Sequence, residues 1–306
     1  MSLGLLFPGQ GTQHAATLPW LDERPEAAAA LQPMASAVGA DWRARLADPA
    51  WATRNAIAQP LLTGLALAAW QCLADKVPRP AVVAGYSVGE LAAFAGAGVF
   101  DAATAIDLAC DRASAMDRGA AHQPTGLLAV AGIAPSTTAR ACERHGLALA
   151  IQISADSVIL GGLVSSLAAA EAELGNAGAR VSRLAVQVAS HTPWMAGAAT
   201  AFAQRLRSTP LHAPVTTIVC NFSGAASRRP QTLAHCLAAQ IAAPVRWDIC
   251  MDSVAERGVR GVLEVGPGTT LSSMWRARHP RIPVRSIDEF RSVDGIVDWV
   301  RNTLRR

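Results

Sequence analysis

The sequence predicts an α/β fold, one large domain built on a mostly parallel sheet and interrupted once by a small domain. Three observations lead there. Short apolar runs of four or five residues alternate with helix-length segments, the pattern of strands buried on both faces. The runs end in glycine turns, Pro8-Gly9-Gln10-Gly11, Gly85-Tyr86-Ser87-Val88-Gly89 and Gly266-Pro267-Gly268, where buried strands hand over to helices. Between Thr125 and Gln187 the element order changes to strand, helix, two strands, helix, strand.

Taken in order, residues 3–7 read as a buried strand and 60–73 as a helix. Residues 81–84 form a second compact strand, followed at once by the Gly85–Gly89 turn and the helix-forming Glu90-Leu91-Ala92-Ala93-Phe94. Asp101 can cap a further helix whose apolar stripe runs Ala102, Ile106, Ala109, Ala113 and Met116, with Arg112 at its edge. The inserted segment then gives an apolar run at 126–133, a helix at 135–143, runs at 147–153 and 158–160, a helix at 163–174 and a last run at 181–186. That βαββαβ order over about sixty residues is ferredoxin-like. Alternation resumes at Thr216, and Gly261-Val262-Leu263-Glu264-Val265 reads as a returning core strand. The expected division is therefore a large domain of residues 1–124 and 188–306, with a strand-turn-helix at Ser87 of the α/β-hydrolase-like kind, and a small domain of residues 125–187.

Composition bounds the function. With 306 residues, 51% of them hydrophobic and 16% charged, the chain can bury a large core and is no disordered protein. The formal charge of +4 comes almost entirely from arginine, Lys76 being the only lysine; it mildly favours acidic partners, and no nucleic-acid motif accompanies it. The six cysteines have no two-residue spacing and the seven histidines no i, i+4 pair, so no metal site is expected and the thiols read as reduced. The N-terminus has no basic leader and breaks at Pro8-Gly9, which makes the cytoplasm the expected location. Residues 55–74 form a 20-residue run without charge, long enough to cross a bilayer, but Asn55, Gln59, Pro60, Thr63 and Gln71 argue for a buried helix and no membrane.

The sharpest chemical signal is Gly85-Tyr86-Ser87-Val88-Gly89. Small residues two before and two after a serine let a strained strand-to-helix turn close, and the amide of Val88 then points where an oxyanion would form. A serine hydroxyl needs a base near neutral pH, and His191 is the best placed, where the inserted unit ends and the chain re-enters the large domain. His145, His212, His235 and His279 fall in turns or polar helix ends. Gln10, in the turn after the first strand, could supply a second backbone N–H. Arg112 could make a forked contact with a carboxylate or be an ordinary solvated helical arginine.

Phe7-Pro8-Gly9-Gln10-Gly11-Thr12-Gln13, Gly85-Tyr86-Ser87-Val88-Gly89-Glu90, Arg112, Ser190-His191, Gln240 before Pro244-Val245-Arg246-Trp247, and Glu264-Val265-Gly266-Pro267-Gly268 together resemble the landmarks of malonyl-CoA:acyl carrier protein transacylases, in order and over nearly the whole chain. The resemblance implies Ser87 as nucleophile, His191 as base, Arg112 paired with the malonyl carboxylate, and the backbones of Gln10 and Val88 as the oxyanion hole. It further implies that the Gln240 carbonyl orients the imidazole, that malonyl-CoA is a substrate with no bound cofactor, and that an acyl carrier protein is the partner. Tyr86 replaces the family's usual histidine, and Ile153-Ser154-Ala155-Asp156-Ser157 stands where an asparagine-containing turn is common. With His14 and Pro19-Trp20 after the first motif, these features look more like the transacylase (epsilon) subunit of malonate decarboxylase, which loads that complex's carrier subunit, than the enzyme of fatty-acid or polyketide synthesis.

Two other classes compete. A serine esterase or thioesterase uses the same turn, but its histidine lies close to the C-terminus, whereas 115 residues follow His191. A non-catalytic docking subunit would be expected to lose the serine, histidine or arginine, and all are present. Arg228-Arg229 and the arginines of 276–281 are candidate surfaces for an acidic carrier.

Overall fold

A computed structural model of the chain describes residues 2–305. Its strands are β1 (Leu3–Phe7), β2 (Val82–Gly85), β3 (Thr125–Ala131), β4 (Ala148–Gln152), β5 (Ser157–Leu163), β6 (Arg180–Arg183), β7 (Thr217–Val219), β8 (Ala226–Ser227), β9 (Val245–Arg246), β10 (Gly261–Glu264) and β11 (Val284–Ser286). The larger sheet has the order β11-β10-β1-β2-β7-β8 and is parallel except for the edge pair β7–β8. β1 is buried on both faces: Leu3, Leu5 and Phe7 pack into one layer and Leu6 into the other, which explains its unbroken apolar run.

The first layer is helical. Asn55–Leu73 lies at its centre, against Ala28–Val38 and Ala102–Ala120. The apolar helix that could have crossed a membrane is thus a core helix, most of it buried. It starts at Asn55, five residues before the expected position, with Pro60 inside the helix as its sixth residue and not at its start. Helix Ala28–Val38 carries Pro33 in a run of alanines and gave no periodic signal in the sequence.

The second layer is shared with the smaller sheet, of order β6-β3-β5-β4-β9. Leu127, Ile151 and Ile159 of that sheet meet Val82, Ala84 and Leu6 of the larger one around the buried rings of Trp247 and Trp275. Helices Pro135–His145 and Val164–Asn176 cover its outer face, with Leu167 of the second packed against Leu128, Val130 and Leu160. Two details differ from the sequence reading. The strand expected over 181–186 ends at Arg183, where its ladder with β3 stops and the chain leaves for the site. The sheet also gains a fifth strand, since β9, from far beyond residue 187, pairs parallel with β4.

Candidate active site

β2 ends at Gly85 and the next helix, Gly89–Gly96, begins after three residues, so the chain turns sharply. Ser87 stands in that turn with φ 56°, a left-handed conformation that costs a residue with a side chain about 1–2 kcal/mol. Packing leaves no room for side chains at the flanking glycines. A Cβ on Gly85 would lie 2.2 Å from the carbonyl carbon of Gly89, and one on Gly89 would lie 2.3 Å from the Phe7 oxygen. The turn is thereby pressed against the end of β1, where the Tyr86 N–H donates to Phe7 O at 2.9 Å. Gln10 and Val88 are thus carried by neighbouring segments.

His191 arrives from the loop after the smaller sheet, with its own φ at 64°. Its N–H donates to Ile241 O at 2.8 Å, and the Ala189 N–H two residues earlier donates to Thr125 Oγ1 at 3.0 Å, so the loop is tied at both ends. The imidazole is only 1% exposed. Its Nδ1 lies 2.5 Å from Gln240 O and its Nε2 2.7 Å from Ser87 Oγ. A carbonyl can only accept, so Nδ1 carries the proton and Nε2 is the acceptor for the serine hydroxyl. Burial first, and the charge of Arg112 second, push the His191 pKa down to about 3, which keeps the ring neutral at physiological pH.

Arg112 is not a solvated helical arginine; it is 1% exposed. Its Nη1 donates to Gln59 Oε1 at 2.7 Å and its Nη2 to Ser87 Oγ at 3.4 Å, while Nε has no hydrogen-bond partner among the described residues. Burial lowers its pKa to about 10, with Glu90 acting in the opposite direction, so the guanidinium stays charged. Gln59, read in the sequence only as a polar break in an apolar run, lies one helical turn from Asn55. Asn55 Oδ1 accepts from Gln10 Nε2 at 2.9 Å and Asn55 Nδ2 donates to Asp117 Oδ1 at 2.6 Å. Two polar residues on one face of an apolar helix thus hold the Gln10 and Arg112 side chains. Periodicity did not flag them, because both face protein.

Gln240 touches the serine as well as the histidine, its Nε2 donating to Ser87 O at 3.3 Å. Tyr86 packs edge-on against Trp247, with ring centroids 5.1 Å apart, and burial raises its phenol pKa well above the ordinary value. It lines a cleft of about 440 Å³ with Gln10, Ala129, Ile153, Arg180 and Met274, between the turns of the larger sheet and the face of the smaller one. The candidate carrier surfaces are partly spoken for: Arg278 pairs with Asp252 through both forks, Arg276 with Glu289, and Arg228 donates to Pro214 O. Among the described residues no group of histidines, cysteines and carboxylates has the arrangement of a metal site.

A hydroxyl on a strained turn, an imidazole on that hydroxyl and a buried cation beside both form an arrangement able to carry acyl groups on a serine. A family model described as acyl transferase domain matches residues 5–287, and the chain belongs to that family and is an acyltransferase. A malonyl CoA-acyl carrier protein transacylase of Mycobacterium bovis is 33% identical over 303 residues, covering 97% of this chain and 99% of that protein. The crystal structure of MCAT from Mycobacterium tuberculosis superposes with a TM-score of 0.88 at 32% identity, covering 97% of this chain and all of that one. A complex of a type II PKS acyl-carrier protein with its malonyl-transacylase matches with a TM-score of 0.90 at 25% identity, over 97% of this chain and 99% of that one.

Proposed function

We propose that the chain transfers a malonyl group from malonyl-CoA to the thiol of an acyl carrier protein through an ester on Ser87. The observation that carries this reading is the position of Ser87 Oγ, 2.7 Å from His191 Nε2 and 3.4 Å from Arg112 Nη2. With Nη1 held by Gln59, the Nε–Nη2 edge of the guanidinium remains for the two oxygens of a carboxylate. An acyl group with a distal carboxylate satisfies it; an acetyl group leaves a buried cation alone.

In the first half-reaction His191 Nε2 takes the Ser87 proton as Oγ bonds to the thioester carbonyl carbon. The tetrahedral anion is stabilised by the N–H groups of Gln10 and Val88, and collapse breaks the carbon–sulfur bond as Nε2–H protonates the departing thiolate. In the second, the carrier thiol gives its proton to Nε2, its sulfur attacks the ester, and Ser87 leaves and regains a proton. No bound cofactor is needed. Binding of the malonyl carboxylate also cancels the Arg112 charge that depresses His191, so the donor strengthens the base it requires.

In this reading residues 1–124 and 188–306 form an α/β-hydrolase-like domain and 125–187 a ferredoxin-like one, supported by the parallel core β10-β1-β2-β7 and by the strand order β6-β3-β5-β4. The acceptor is the carrier subunit of malonate decarboxylase in the cytoplasm, a choice supported by Tyr86 before the nucleophile. The names of the relatives favour the second reading, a carrier of fatty-acid or polyketide synthesis. Mixing the protein with malonyl-CoA and each purified carrier, and following malonyl-serine and malonyl-carrier by intact mass, tests both steps. Release of CoA without a protein adduct would sink the covalent reading, and exclusive loading of the fatty-acid carrier would replace the first acceptor with the second.

A pH profile follows. His191 must be neutral to act, and its pKa is lowered, so acylation measured as kcat/KM should stay flat from about pH 7 to well below the ordinary histidine pKa of about 6.5, losing rate only in strong acid. Arg112→Gln removes one cause of the depression and should move this acid limb upward. A wild-type limb centred near 6.5 would refute the assignment.

A further inference from the structure

We propose that Asn221 is the positioning residue that holds the Ser87 turn in its reactive shape, with Glu90 fixing Asn221 from behind; the inference rests on reading Ser87 as the nucleophile. Asn221 follows the end of β7, is fully buried and lies 134 residues from the serine. Its Oδ1 accepts the Ser87 N–H at 2.8 Å and its Nδ2 donates to Gly85 O, so one planar amide spans the turn from the last strand residue to the nucleophile. Only a side chain that both accepts and donates at that spacing can make the two bonds.

The backbone that carries this amide is itself held. The Asn221 N–H donates to Glu90 Oε1 at 2.7 Å, and Glu90 lies in the first turn of the helix that the serine precedes. On the other side the Arg246 N–H of β9 donates to Asn221 O at 3.1 Å. Ser87 is in a conformation it would relax from if released, and relaxation would swing Oγ off the His191 Nε2 acceptor. Asn221 also occupies the N–H of Ser87, which leaves the next N–H, that of Val88, as the donor facing an oxyanion. With Gln240 Nε2 on Ser87 O, side-chain amides grip both peptide groups of the nucleophile. Asn221 acts through Ser87, so its loss should appear in turnover and leave donor binding alone.

The test compares steady-state malonyl transfer with labelling of Ser87 by a fluorophosphonate, which reports serine reactivity without any CoA donor. Asn221→Ala is expected to lower kcat and the labelling rate together by about 100-fold, the scale of a misplaced reacting group, with KM for malonyl-CoA unchanged within about twofold. Asn221→Asp keeps an acceptor for the Ser87 N–H and loses the donor to Gly85 O; it should lose about tenfold in both rates, and being nearly isosteric it decides the matter if the alanine variant does not fold. Glu90→Ala should slow both rates, and Glu90→Gln, which retains an accepting oxygen, should recover most of that loss. Unchanged kcat and labelling in Asn221→Asp, or a loss confined to KM, would overturn the proposal. Wild-type protein that labels with the fluorophosphonate but never accepts malonyl groups would instead overturn the functional reading, while the labelling rates of the variants still judged Asn221.

Discussion

Ser87→Ala should give a folded protein that forms no malonyl adduct and transfers acyl groups at least about 10⁴-fold more slowly than wild type, the loss expected when a covalent nucleophile is removed from a working pair. The substitution removes one oxygen and leaves intact the glycine contacts and the Asn221 bonds that shape the turn. His191→Ala should approach the same loss, because the two act as a unit and the hydroxyl then has no acceptor other than water. Single-turnover CoA release, read beside intact mass and a melting curve, checks this. An acyl adduct on the Ser87→Ala protein, or CoA release at the wild-type rate, would move the chemistry to another residue.

Arg112→Ala should reverse the choice of donor. A buried ion pair broken by truncating one partner costs about 3–5 kcal/mol, so kcat/KM for malonyl-CoA should fall by roughly 10²–10⁴-fold. For acetyl-CoA the substitution removes a lone buried cation, and its kcat/KM should hold or rise. The ratio between the two donors is the readout, since a general loss of folding lowers both. Arg112→Lys should rescue little: an ammonium is a point charge, and it cannot keep the Gln59 contact while presenting a planar edge to the carboxylate. Equal losses for both donors would mean that Arg112 supports the structure and selects nothing.

What could be read in the sequence was local. The Gly85–Gly89 turn announces itself because its flanking strand and helix, its glycines and its serine all lie within a dozen residues. β1 and β10 were visible for the same reason, as apolar runs that end in glycine turns. His191 was reachable through its place at a junction, although the 2.7 Å contact spans 104 residues. The rest depends on what tertiary structure brings together. Asn221 looks like any turn asparagine in Val219-Cys220-Asn221-Phe222, and Gln59 like a polar interruption of an apolar run; their roles are set by partners on other elements. The Arg112 burial was obscured because a helical stripe shows which side faces the core and not how deep its edge is covered. Strands of two residues, β8 and β9, carry no periodicity at all.

The order of these parts along the chain has a consequence for biosynthesis. Leu3 of β1 pairs with Gly261 of β10, and the fifth strand of the smaller sheet is supplied by residues 245 and 246. The ribosome therefore makes Ser87 early and its hydrogen-bond partners His191, Asn221 and Gln240 much later. Until residues 261–264 have emerged β1 waits beside an open edge, and the smaller sheet waits beside another until residues 245 and 246 have. On the proposed roles, a nascent chain that stops short of residue 191 holds the Ser87 hydroxyl without the imidazole that would accept its proton. On the same proposed roles, the serine is competent only once the segments carrying residues 191, 221 and 240 have folded onto its turn.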